Sequence, residues 1–464
     1  MMISEKKISL QFKDGSILAE DSHTELDKVE HFERDPRTKQ FRAKGIDYKN
    51  IILSLREKNW KYEDTVKSYE ILNLRLRKEL LLRPYQKESI SAWIAQEKRG
   101  VIALPTGAGK TIVAVASILE VKRSCLIVVP TIDLLYQWQK VLEDYFDMRI
   151  GLLGDGNKEP APITVSTYDS ARLTIDRLGN RFGLLIVDEC HHLPSPQYQF
   201  IAQCAIAPYR LGLSATVQRA DGKESIIYDL LGPLVYEGKI TDLVSRSLAP
   251  YDVVNLEVEL TEEERIAYKF ARDKYIQFLQ KHRINFSQKD AWKTFLFLSS
   301  RSKEGREAFL AHRAQKLIAQ RAKRKMDQVW DLLTLHSQEQ MIVFTDDNET
   351  AYRIGSEFML PVITHKTKER ERKKFLASFK QGTLKVLVTS RVLNEGVDVP
   401  EASVGVIVSG TGAVREHVQR LGRILRPRPG KRAVLYELVA KATNEVHVNQ
   451  RRRRHDAYEG STEG

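Results

Sequence analysis

Cysteine is nearly absent: the 464 residues contain three, Cys125, Cys190 and Cys204, far apart and without paired spacing. That scarcity excludes a disulfide framework, a zinc site and an iron–sulfur cluster, and it suits a reducing, cytoplasmic setting. Long apolar runs are missing too, so no stretch reaches the roughly 20 residues of a membrane span. Glu5, Lys6 and Lys7 interrupt the opening where a secretory leader would carry its apolar centre. Acidic residues are in deficit, 61 Asp plus Glu against 74 Lys plus Arg, for a formal net charge of +13. Such a balance favours an anionic polymer as partner. Proline and glycine vanish from Thr261 to Lys303, which leaves that stretch open to continuous helix.

What is present is organised around residues 101–111, Val-Ile-Ala-Leu-Pro-Thr-Gly-Ala-Gly-Lys-Thr. Val101 to Leu104 reads as a buried strand. The turn through Thr106, Gly107, Ala108 and Gly109 lets the backbone wrap an anion, and a helix starting near Lys110 aims its N–H groups at it. In such a cradle Lys110 neutralises the β and γ phosphates of ATP and Thr111 ligates Mg²⁺. Leu104 stands where the strict P-loop pattern has glycine, so the surroundings carry the assignment. Just upstream, Arg83-Pro84-Tyr85-Gln86 opens a helix running through Trp93. The Gln86 amide offers the donor and acceptor that an adenine edge needs, and the plain reading of the cluster is a helix start.

Downstream, Cys125 to Pro130 is a second strand, Thr131 to Trp138 begins a helix and Thr164 to Thr167 is a further strand, the rhythm of a parallel doubly wound sheet. Leu184 to Val187 then delivers Asp188 and Glu189 at a strand end, where ligands sit in such sheets. Asp188 is expected to hold Mg²⁺ through water, and Glu189 to orient and deprotonate the attacking water. Cys190, His191 and His192 are adjacent, and adjacent residues cannot form a four-ligand zinc site unaided. The hydroxyls of Ser214 and Thr216, after another short apolar strand, are placed to relay the state of the phosphates.

The flanks divide by pattern. Residues 1 to about 75 mix short strands (Ile8 to Phe12, Ser16 to Ala19) with a helix at Tyr48 to Trp60, a small α+β domain; residues 76–240 form the first α/β domain. From 241 to 336 helical periodicity replaces strands, as in an inserted domain. Between Lys269 and Lys325 lie 16 Lys plus Arg and 4 Asp plus Glu, 16 − 4 = +12, nearly the excess of the whole chain. Aromatics are interleaved there (Tyr268, Phe270, Tyr275, Phe278, Phe286, Trp292, Phe295, Phe297). At helical spacing these are core by default, with base stacking as the second reading. The concentrated charge points to a surface that tracks a phosphate backbone. A second α/β domain spans 337–464, with strands at Met341 to Thr345, Leu384 to Thr389 and Val404 to Ser409. Its segment Thr389 to Pro400, containing Gly396 and Asp398, is a strand-end loop suited to nucleotide and polymer alike. Gln419, Arg423 and Arg426 fall on one helical face, an arginine face of the kind that stabilises a transferring phosphoryl group. The chain closes on Arg451 to Arg454, a charged tail.

Taken in order, Arg83 to Gln86, Pro105 to Thr111, Pro130-Thr131, Ser166-Thr167-Tyr168, Asp188 to His191, Ser214 to Thr216, Val343 to Thr345, Thr389 to Pro400 and Gln419 to Arg426 resemble the motif set of superfamily two helicases. Within it the chain resembles the XPB family of DNA helicases in its compact archaeal form, through Arg219-Ala220-Asp221-Gly222, the basic thumb-like insertion, Gly410-Thr411-Gly412 and the short N-terminal domain. The resemblance implies an α/β fold with two RecA-like motor domains, a damage-recognition-like module at 1–75 and a helical thumb. It also implies ATP-driven opening of DNA in nucleotide excision repair or transcription, or, as the alternative, a DNA-stimulated ATPase or duplex translocase that unwinds little. Single-stranded, forked or damaged DNA is the implied partner, with a repair nuclease or transcription factors beside it. It gives His191 a coupling role with Ser214 and Thr216, and places Thr131, Thr167, Arg219, Asp221 and Thr389 at the DNA. The family's loop reads Arg-Glu-Asp where Ala220 stands here, so the acidic role at that position does not carry over.

Overall fold

The computed structural model describes residues 8–20, 26, 29–36, 40–105, 107–215, 222–238, 251–286, 291–390, 402–409 and 433–446. The chain folds as two compact units, the described residues up to 238 belonging to the first and those from 251 on to the second. Among the described residues no helix is long and apolar enough to cross a membrane.

The first unit opens with a small sheet of β1 (Ile8–Lys13), β2 (Ser16–Glu20), β3 (Glu33–Arg34), β4 (Phe41–Lys44) and β5 (Tyr62–Asp64), ordered β3-β4-β2-β1-β5 and covered by α1 (Tyr48–Glu57). Asp14 and Gly15 both take positive φ, 50° and 73°, as a tight turn between β1 and β2 requires. A Cβ on Gly15 would stand 2.5 Å from Cys204 Sγ, so the hairpin tip seats directly on the neighbouring α/β layers. Ile206 from those layers belongs to the same buried cluster as Ile8, Leu10, Phe41 and Ile51.

Those layers are α2 (Pro84–Ala95), β6 (Arg99–Ala103), α3 (Lys110–Val121), β7 (Cys125–Val129), α4 (Ile132–Tyr145), β8 (Ile150–Gly154), β9 (Asn157–Glu159), β10 (Ile163–Thr167), α5 (Tyr168–Leu178), β11 (Leu184–Asp188), α6 (Pro196–Cys204), β12 (Tyr209–Ser214), α7 (Glu224–Leu231) and β13 (Leu234–Glu237). The sheet runs β13-β6-β12-β11-β7-β10-β8-β9, parallel except for β9. Its central strands are almost wholly buried because both faces are covered. Arg210 on β12 is buried and donates to the carbonyls of Ala202, Ala205, Ala207 and Leu230 at 2.7–3.0 Å, tying the ends of α6 and α7 to the sheet.

The second unit holds β14 (Tyr251–Val258), α8 (Glu262–Lys281), α9 (Ala291–Ser299), α10 (Lys303–Gln320), α11 (Lys323–Leu335), β15 (Met341–Phe344), α12 (Asn348–Glu357), β16 (Val362–Ile363), α13 (Glu369–Lys380), β17 (Val386–Thr389), β18 (Val404–Ile407) and β19 (Ala433–Ala440). Its all-parallel sheet is ordered β14-β19-β18-β15-β17-β16. A capping box starts α8, Thr261 Oγ1 accepting from Glu264 N while Glu264 Oε2 accepts from Thr261 N. Helices α8, α9 and α10 enclose their own cluster of Ala271, Tyr275, Phe278, Phe295 and Ala308.

The helical stretch expected from 241 to 336 is narrower than its pattern suggests. Residues 251–258 are a strand paired along its whole length with β19, and Met326, Val329 and Leu332 of α11 pack into the core of this second sheet. The reason is positional. β14 is an edge strand with one ladder, so Asp252, Asn255 and Glu257 break up the apolar run that marks the central strands.

Candidate functional site

Gly107 and Gly109 take φ of 86° and 81°, the left-handed values that curl a backbone around an anion at the start of α3. A Cβ on Gly109 would meet Gln86 Nε2 at 2.5 Å, so only glycine leaves room for the brace beneath the loop. That brace is double: Tyr85 Oη and Gln86 Nε2 each donate to Ala108 O at 2.9 Å. Gln86 Oε1 accepts from Arg83 N at 2.9 Å, closing the cap of α2, and Arg83 donates to Tyr85 Oη. The amide expected to meet an adenine edge is therefore buried and holds the phosphate loop in shape. Lys110 Nζ lies 3.4 Å from Leu104 O and 3.5 Å from Glu189 Oε1. Thr111 follows it on the first turn of α3.

Strand β11 ends on Asp188, and Glu189 turns out of it with φ 47° and ψ 51°, an uncommon conformation for a side-chain-bearing residue and typical of functional strand ends. Both carboxylates are buried. Trp138 Nε1 donates to Asp188 Oδ2 at 2.9 Å, and Tyr168 Oη donates to the carbonyls of Asp188 and Glu189 at 3.0 and 3.2 Å. Burial first, then the charge of Glu189, pushes the Asp188 carboxyl up to about 6, against the pull of Lys110 and the Trp138 hydrogen bond. His191 is fully buried, its Nδ1 3.3 Å from Glu189 Oε2 and 3.2 Å from Ser214 Oγ.

Sheet register explains why these groups meet. Ala103 pairs with Ser214 and Leu213 with Asp188, so β6, β12 and β11 are neighbours that release the phosphate loop, Ser214 and the carboxylates from one sheet edge. Lys110, Glu189, His191 and Ser214 thus form a continuous run of contacts. The donor set suits a nucleoside triphosphate with a hard divalent cation: curled backbone and an ammonium for the phosphates, a hydroxyl at Thr111 and a buried carboxylate at Asp188 for the metal.

Thr131 and Thr167 sit at the N-termini of α4 and α5, where their Oγ1 atoms accept from Leu134 N and Ser170 N. Both are helix caps. Thr389, expected at the DNA, is instead fully buried in the second unit, donating to Ile363 O and Ser390 O at 3.1 Å. It shapes the end of β17. Near it Asp346, just after β15, accepts from Lys316 Nζ and Gln320 Nε2 of α10 at 3.4 and 3.1 Å, and its own N–H donates to Ser409 Oγ at 3.0 Å. The buried Lys325 donates to Val408 O and Glu445 Oε2, both at 2.8 Å. Thr106, Thr216, Arg219, Ala220, Asp221, Gly396, Asp398, Gln419, Arg423 and Arg426 lie outside the described residues. Sequence reasoning missed Trp138 as a site residue, and it placed Tyr85 and Tyr168 within motifs without assigning either a role.

Residues 79–219 match the family described as type III restriction enzyme, res subunit; residues 299–460 match the ERCC3/RAD25/XPB C-terminal helicase, and residues 10–66 the xeroderma pigmentosum group B helicase damage recognition domain. The DNA 3′-5′ translocase XPB2 of Sulfurisphaera tokodaii is 41% identical over 416 residues, 89% of this chain and 94% of its own length. The DNA 3′-5′ helicase XPB of Mycobacterium tuberculosis is 31% identical over 393 residues, 82% of this chain and 64% of that protein. Among solved structures, the Pyrococcus furiosus Hef helicase domain superposes with a TM-score of 0.52 at 21% identity, covering 81% of this chain and 99% of that domain. At that identity the likeness concerns the fold, a pair of RecA-like parallel sheets.

Proposed function

The chain belongs to the XPB family of DNA helicases, and from that premise we propose that it is an ATP-driven 3′-5′ DNA translocase and helicase acting in nucleotide excision repair or transcription. The run of contacts from Lys110 through Glu189 and His191 to Ser214 carries the reading, because it joins the group that senses a γ phosphate to a second strand end. Lys110 and the α3 N-terminus bind the phosphates, and Glu189 accepts the proton of the attacking water. Thr111 and Asp188 would hold Mg²⁺, which when bound screens the charge of the phosphate oxygens. Trp138 and Tyr168 fix the carboxylates so that Glu189 stays aimed. Arg423 and Arg426, with Gln419, stabilise charge on the transferring group. Gly396 and Asp398 take part in nucleotide binding, and Arg219 and Asp221 in DNA binding.

We assign residues 1–75 to lesion recognition, 76–240 and 337–464 to the two motor domains, and α8 to α10 to a DNA-gripping thumb; β14 and α11 go with the second motor domain. Forked or damaged duplex is the proposed substrate, with a repair nuclease or transcription factors as partners. The test is ATP turnover with and without DNA, beside unwinding of duplexes carrying a 3′ or a 5′ tail. Turnover stimulated by DNA, abolished by Lys110→Ala and productive only from the 3′ tail is expected. Arg423→Ala should slow hydrolysis roughly 10³-fold with ATP affinity little changed. A preparation indifferent to every polynucleotide would defeat the reading. Triplex displacement without fork unwinding would assign it to duplex translocation, which the substitution at Ala220 favours.

A further inference from the structure

Helices α8 and α10 enclose a cavity of about 460 Å³ that none of the motor chemistry uses. Its walls are aromatic, with Tyr275, Phe286, Trp292 and His312 around it, and the rings pack at angles, Trp292 to His312 at 5.3 Å and Tyr275 to His312 at 4.9 Å between centroids. Phe286 and Trp292 remain substantially exposed, at 46% and 42%, so the aromatic lining continues out to solvent. Gln315 also lines the cavity. It is 2% exposed, and among the described residues neither its amide nitrogen nor its amide oxygen has a hydrogen-bond partner. Native folds leave few such groups, and each calls for a ligand, a water or a function. A side-chain amide carries a donor and an acceptor in one plane, the complement of a heterocycle edge.

Resting on the DNA-translocase reading, we propose that this cavity is a nucleobase pocket, which takes one unstacked base of a DNA strand between its aromatic rings and reads its edge with Gln315. Phosphate is disfavoured inside: the lining is largely apolar, and Glu445 in its wall already holds Lys325 at 2.8 Å. The backbone stays outside, and Arg272, which also lines the cavity, supplies positive charge to it. Charge complementarity extends beyond the pocket, since residues 269–325 carry a net +12 by 16 − 4. Aromatic stacking suits a passing strand because every base has a π face.

The experiment compares binding of the full chain to labelled oligothymidylate and to an abasic deoxyribose-phosphate strand of equal length, at fixed salt. Wild type should prefer the base-bearing strand by about tenfold. Gln315→Leu and Trp292→Ala should bring its affinity down toward that for the abasic strand while leaving the abasic strand's affinity unchanged. Because leucine removes an unpaired buried amide, Gln315→Leu should also melt no lower than wild type; Gln315→Met replaces it should the leucine chain fail to fold. Variants that keep the full wild-type preference would overturn the pocket and leave DNA binding standing. Failure of wild type to bind either strand at low salt would instead overturn the DNA reading itself. Displacement of the strand by free thymidine monophosphate at equal molar potency would reassign the cavity to a free nucleotide and end the proposal.

Discussion

Asp188 is held where a carboxylate is least comfortable, buried beside Glu189, and the fold keeps its proton up to about pH 6 against 3.8 for the unperturbed group. Between those values the folded chain binds the proton more tightly than the unfolded chain, so stability falls as pH rises from about 4 to about 6 and the penalty is complete above. Asp188→Asn, which keeps an acceptor for Trp138, should therefore stabilise the nucleotide-free protein at pH 7.5 by about 1–3 kcal/mol. The gain should vanish near pH 4. Thermal melts of both chains at the two pH values check this, and an equal difference at both would mean that the cost is not electrostatic. Asp188 and Glu189 were legible in the sequence because an apolar strand visibly ends on them. Trp138 was not, since its partner 50 residues on is chosen by parallel strand register and leaves no local trace. Gln86 was legible as a site residue, but its hold on Ala108 O, 22 residues on, left no local trace.

At the scale of elements, the strands that face two layers declared themselves and the one at an edge did not. Central β7 and the body of β11, Leu184 to Val187, are apolar runs, whereas β14 carries Asp252, Asn255 and Glu257 within a stretch otherwise helical. Helix α10 gives the inserted helices a direct hold on the second sheet through Asp346, which Lys316 and Gln320 grip while its backbone grips Ser409. Ser409 is the last described residue before the Gly410-Thr411-Gly412 segment. Asp346→Ala takes this acceptor away from both Lys316 and Gln320, so it should cost about 1–3 kcal/mol in chemical denaturation. It should also lower the DNA-stimulated increment of ATP turnover several-fold while basal turnover changes less. An equal fall in both rates would make Asp346 a purely local prop.

For the molecule as a whole, charge is the plainest sequence signal and the division into bodies the least plain. With most of the net positive charge in residues 269–325, affinity for DNA should fall steeply with salt. Neutralising three or four of those lysines and arginines should flatten the slope of log affinity against log salt by roughly 0.7–0.9 for each phosphate that then keeps its counterion. An unchanged slope would move the grip elsewhere. The two α/β sheets could be read from repeated strand, helix, strand order, but nothing in the sequence announces that the small N-terminal sheet shares its core with Ile206. Deleting residues 1–66 should consequently expose that seam and give a chain that melts lower and aggregates, as light scattering during heating would record. The seam also has a mechanical meaning. With Gly15 pressed against Cys204 and its amide donating to Asp176 O at 2.8 Å, the little sheet is bolted to the piece that clasps the phosphates rather than hung from a tether. Any load placed on that sheet is then felt as torque on the engine casing itself, and a transplant of this module into another motor must carry the bolt along.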